Sequence, residues 1–155
     1  MFRRELITTS DSAMDFSRRK IAARALRTGG ILLWIAAGIH FCALPLLRGA
    51  VAPSLPAGAY NFVWPILALA FSLNGVLLLP LGFTAIYSGG GILRGEPWAR
   101  TLGLLCSLTV LALPLLLVIV MGFRYFSAKP FLAAAIIITV AGVSMTIPVL
   151  RLTNR

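Results

Sequence analysis

Four stretches of this chain carry no Asp, Glu, Lys or Arg: 28–47, 49–93, 101–123 and 130–150. They hold 20, 45, 23 and 21 residues, together 109 of the 155. A helix needs about 20 apolar residues, each rising 1.5 Å, to cross roughly 30 Å of hydrocarbon. The first, third and fourth stretches each match one crossing. The second is too long for one and is broken by Gly49-Ala-Val-Ala-Pro-Ser-Leu-Pro-Ala-Gly-Ala-Tyr-Asn61, which reads as a loop leading to a helix from about Phe62 to Tyr87. The expected spans are therefore near 29–47, 62–87, 101–123 and 130–150, with a basic tail over 1–28. Backbone groups in lipid must be satisfied within their own segment, so apolar runs of this length imply helices. No alternation of apolar and polar residues suggests a barrel. The predicted fold is all-α, an up-down four-helix bundle integral to a membrane, with an amphipathic basic N-terminal helix.

Composition excludes the main alternatives. Apolar residues make up 59% and charged residues 12%, about half the ~25% charge of soluble domains. Mean hydropathy is +0.96. Four carboxylates cannot give a soluble globule of this size a normal polar surface, so a soluble enzyme, a disordered chain and a disulfide scaffold are all ruled out. The net charge of +10 comes mainly from a shortage of acids. The bases flank the spans and form no stripe on a soluble domain, so no nucleic-acid partner is expected.

The placement of Lys and Arg sets an orientation. Eleven belong to the tail, the 88–100 loop and the C-terminus, whereas Arg48, Arg124 and Lys129 belong to the other side. The positive-inside rule puts both termini and the 88–100 loop in the cytoplasm. Aromatic residues mark the expected interfaces: Tyr60, Phe62, Trp64, Tyr125 and Phe126 outside, and Tyr87 and Trp98 inside.

In the tail, Ser12-Ala-Met-Asp15 reads as a capping box opening a helix through Arg27. Its basic cluster, Arg18, Arg19, Lys20, Arg24 and Arg27, is a candidate lipid-headgroup contact, with a plain topology signal as the simpler alternative. Ser17-Arg-Arg-Lys-Ile21 also resembles the start of a twin-arginine export signal. The following apolar stretch is of full spanning length, and the nearest small-x-small site, Ala57-Gly-Ala59, lies far beyond it, so anchoring is expected over cleavage.

Reactive groups are scarce. Glu5, Asp11, Asp15 and Glu96 all lie outside the spans, away from the depth where ion-coupled proteins keep ionisable groups. Cys42 and Cys106 are 64 positions apart, form no C-x-x-C unit and read as small apolar fillers. No metal site is expected from a single histidine, and no catalytic residue is assigned. Gly89-Gly-Gly91 lacks the Lys-Ser/Thr of a phosphate loop and reads as a helix end with a flexible turn.

The polar groups expected at depth are His40, Asn74 and Ser72. His40 falls near the middle of the first span and Asn74 near the centre of the second, close enough in topology to meet. Such groups commonly bind one helix to another. Ala36-x-x-x-His40-x-x-x-Leu44 is also similar to the pigment-ligating pattern of bacterial light-harvesting polypeptides. That likeness implies His40 as an axial ligand to a chlorin or haem; no cofactor is required by the sequence otherwise. Span four carries a stripe of small residues, Ala135, Thr139, Gly142 and Thr146, and Gly103-x-x-x-Ser107 is a shorter version in span three. Both suit close helix packing, within the bundle or against another chain. Pro80 and Pro114 are interior enough to bend their helices, whereas Pro45 and Pro148 lie near ends.

Gly90-Gly-Ile-Leu-Arg-Gly-Glu-Pro-Trp-Ala-Arg100 resembles the short basic loop of small four-span bacterial membrane proteins, including DoxX-like ones. That resemblance implies architecture and no mechanism. In physical terms, Pro97 suits a first helical turn, Glu96 complements a helix N-terminus and Trp98 anchors at the interface.

The expected function is association without catalysis: an accessory or structural subunit of a larger membrane complex, or a homo-oligomer. The partners are membrane lipids and other membrane chains. Two alternatives stand beside it, a small lipid-, quinone- or solute-binding carrier and a chlorin- or haem-binding subunit using His40.

Overall fold

The computed structural model describes residues 2–51, 58–121 and 129–153. Arg124, Tyr125 and Phe126 lie outside the described residues, as does the 52–57 part of the first loop. The described residues form four helices: α1 (Phe2–Val51), α2 (Tyr60–Arg94), α3 (Pro97–Met121) and α4 (Lys129–Thr153). Each contains a segment long and apolar enough to cross a membrane. The protein is thus an all-helical, multi-pass membrane protein. The close pairs are α1–α2, α1–α4, α2–α3 and α3–α4, so each helix has two main neighbours.

The segments differ from the sequence expectation at three boundaries. The first helix is continuous from Phe2 to Val51, so position 12 lies inside the helix and not at its start, and the basic segment runs on into the first apolar stretch without a break. Helix α1 also runs into the proposed loop as far as Val51, and α2 begins at Tyr60. Finally, Gly89-Gly-Gly91 is not a helix end. Helix α2 continues to Arg94 and stops at Gly95, whose φ of 78° is left-handed. There the Gly95 N–H donates to the Ile92 carbonyl at 3.1 Å and the Glu96 N–H to Gly91 at 3.0 Å. This paired closure satisfies carbonyls that a helix end leaves open, and glycine alone enters it without Cβ strain. Pro97 then opens α3.

What the internal glycines do instead is let backbones approach. A Cβ on Gly82 would sit 2.7 Å from the Gly30 carbonyl oxygen, and one on Gly89 would sit 2.9 Å from that of Ala23. Gly75 lies against His40 and Phe41. Gly75, Gly82 and Gly89 recur every seven residues along α2, as do the buried Phe71, Leu78, Ala85 and Ile92. On α1 the matching series are Ala22, Gly29, Ala36 and Ala43, and Leu26, Leu33 and His40; on α4, Phe131, Ile138, Met145 and Leu152. A seven-residue repeat keeps one seam facing a neighbour along a whole helix. Small residues at that seam substitute for the hydrophobic driving force that lipid removes. Other large side chains point outward: Phe62 is 74% exposed and Ile119 71%. The seams therefore mix small residues, where backbones approach, with buried large ones such as Leu33, Leu78, Phe131 and Met145.

Candidate functional site

His40 occupies the place in its seam that Leu33 and Leu26 hold one and two repeats earlier, and it is fully buried. Its Nδ1 lies 2.8 Å from the carbonyl oxygen of Ala36, one turn back. A carbonyl only accepts, so Nδ1 carries the proton. Nε2 is then the acceptor, and the Asn74 amide Nδ2–H donates to it at 2.8 Å. Phe131 meets the imidazole edge-on with centroids 5.7 Å apart, and Phe71 packs on Phe131 at 4.3 Å. Gly75 gives the room this requires, since its missing side chain faces the His40 Cβ. One residue from each of α1, α2 and α4 thus closes a polar pair inside an aromatic cover. Ser72 is half-buried, two residues before Asn74.

In this geometry His40 serves contacts within the bundle. Both ring nitrogens are engaged, and Ala36, the small residue that would make room for a macrocycle, is itself fully buried against the bundle. The cluster sits near the middle of α2 but toward one end of α4. It is level with Phe131, the third residue of α4, whereas Gly29 packs on Met145 and Arg18 shares a cleft with Arg151 near the other end. The first span was expected to begin after Arg27; in the structure the other helices extend alongside α1 well before that residue.

The small-residue faces are mostly used within the chain. Ala135, Gly142 and Thr146 are buried, and a Cβ on Gly142 would collide with Leu111 of α3. The Thr146 hydroxyl donates to the Gly142 carbonyl at 2.7 Å. Thr139 is exposed and donates to Ala135 at 2.8 Å. In α3, Gly103 abuts Leu26 and Ser107 donates to Leu104 at 2.9 Å. Cys106 is buried with its thiol 3.3 Å from the Leu81 carbonyl, and Cys42 is exposed. Among the described residues, the one buried side-chain nitrogen or oxygen without a hydrogen-bond partner is Arg19 Nε.

The basic end has a different character. Arg19 pairs with Asp15 at 2.6 Å and lies beside Gly95. Arg94 pairs with Glu96 at 2.6 Å, and this hydrogen bond holds the Glu96 carboxyl below the usual carboxylate range. Tyr87 stacks on Trp98 at 5.2 Å. Two open clefts flank α1 here. One, of about 450 Å³, is lined by Phe16, Lys20, Ala23, Arg24, Arg27 and Leu93 of α2. The other, of about 420 Å³, is lined by Arg18, Ile21, Pro148 and Arg151. The cluster Arg18–Arg27 is therefore divided between two grooves, while Ala22, Ala23 and Leu26 of the same segment are buried. Sequence reasoning missed Arg151 as a neighbour of Arg18, because only the packing of α4 on α1 joins them. It also missed the packing role of Gly75, Gly82 and Gly89, whose seven-residue spacing was a legible signal.

No protein-family model, curated protein or solved structure matches this chain.

Proposed function

We propose that this chain is a non-enzymatic protein of a bacterial inner membrane that acts by association, as an accessory subunit of a larger membrane complex or as a homo-oligomer. In this reading the four helices form an up-down bundle of the kind seen in small four-span proteins such as DoxX-like ones. The basic end, with both termini, faces the cytoplasm. The charge distribution supports that orientation: the Arg18–Arg27 segment, Arg94, Arg100 and Arg151 belong to that side, against Arg48 and Lys129 at the other among the described residues. Aromatic pairs support the boundaries, because Trp64 and Tyr87 lie 23 residues, about 35 Å, apart along α2.

The observation that carries the association reading is the closure of the interior. His40 and Asn74 satisfy one another, the buried hydroxyls of Ser88, Ser107 and Thr146 bond to their own helices, and the buried polar groups are spent on packing. The outward surface is what such a chain has left to work with. Photo-cross-linking in native membranes from outward positions, such as Leu69, Phe83 and Ile119, tests this. Discrete adducts to a second chain are expected; if no position gives one, association is the wrong function.

A further inference from the structure

We infer that the cleft between α1 and α4 at the basic end binds the phosphate headgroup of an anionic glycerophospholipid. Its two cations come from different helices, Arg18 from α1 and Arg151 from α4, and Ile21 and Pro148 also line it. Arginine presents a planar fork of donors that matches phosphate oxygens, and it tolerates partial desolvation better than lysine. Neither arginine has a carboxylate partner among the described residues. Asp15, the acid nearest in sequence, is taken by Arg19 at 2.6 Å, and Arg18 makes only a 3.8 Å contact with the Met14 sulfur. The cleft is thus lined by two cations unpaired among the described residues and by two apolar side chains.

An apolar track identifies the ligand as a lipid in preference to free phosphate. Ile147, Val140 and Ile136 are exposed on α4, and their spacing from Arg151 keeps them on its face of the helix. A headgroup held by Arg18 and Arg151 has acyl chains directly below it along this face. Basic pockets between spans on the cytoplasmic side are a general mode of anionic-lipid recognition. The site stands whether or not the chain has protein partners.

Native mass spectrometry of the full chain in mild detergent, titrated with phosphatidylglycerol or phosphatidylcholine of the same acyl chains, tests the proposal. Phosphatidylglycerol is expected to be retained selectively, and Arg18→Gln/Arg151→Gln to weaken retention about thirtyfold. Equal retention by the double variant, or displacement of the lipid by inorganic phosphate, overturns it. A second measurement uses the unaltered protein, so that failure of the variant to fold is immaterial. Phosphatidylglycerol with a photoreactive headgroup should label residues 14–21 and 148–152. Labelling confined to the Lys20–Arg24–Arg27 groove, or spread evenly around the bundle, contradicts the assignment.

Discussion

His40 and Arg18 stand on one uninterrupted helix, 22 residues or about 33 Å apart, yet their surroundings are opposite. His40 is sealed among Ala36, Asn74 and Phe131, with both nitrogens engaged. Arg18 borders an open cleft with a second arginine and no carboxylate partner among the described residues. A polar group closed inside a bundle specifies how helices pack, whereas one left open at its rim is free to meet a ligand. Placement along the sequence therefore does not separate a closed polar group from an open one in this molecule.

The contrast breaks first at the seam joining the two ends. Gly82→Leu drives a side chain into the Gly30 carbonyl and the Trp34 ring, and the expected loss is about 3 kcal/mol, measured by unfolding in bicelles. Gly38→Leu is the control: nothing lies within 4 Å of its missing Cβ, so stability should hold. The closed end comes next. His40→Leu fits the Leu26–Leu33 series but strands the Asn74 amide, at a cost of about 1–2 kcal/mol. Adding Asn74→Leu should recover most of that loss in a double-mutant cycle, and a cycle with zero coupling would show the pair to be incidental.

At the open end, Arg18→Gln/Arg151→Gln should leave stability within about 0.5 kcal/mol while reducing lipid retention, the reverse of the His40 pattern. The smallest effect belongs to Glu96. Its folded carboxyl is held below the ordinary range by the hydrogen bond from Arg94, so the pair's contribution is present above the unfolded-state value. It is lost as pH falls through the lowered folded value. Carboxyl NMR shifts across an acid titration read this directly; a Glu96 titrating at or above the ordinary carboxylate value contradicts the pair.

The four helices were legible because charge depletion over a membrane's thickness leaves few structural options. His40 and Asn74 were legible as depth-placed polar residues on adjacent spans. The setting of the basic residues Lys20, Arg24 and Arg27 was not, because read along one chain they mark the end of a span. In space they lie beside apolar residues of α2 such as Leu93, where long cationic side chains reach outward from an apolar stem. Gly89 and Gly91 misled for a related reason. Local rules assign a glycine run to a turn, and only the neighbouring Ala23 and Ala99 reveal that the glycines serve close packing. The true terminus, Gly95, carried the same residue type four positions later. Arg151 joined the candidate site through tertiary contact alone, which no local spacing encodes.

Native mass measurement of the chain released from its own membrane in mild detergent tests the central claim most directly, because one spectrum reports protein partners and bound lipid together. A closed interior and a working exterior predict an assembly heavier than the 16.6 kDa chain, with anionic phospholipid retained. A bare 16.6 kDa monomer, free of both lipid and partner, would contradict the account.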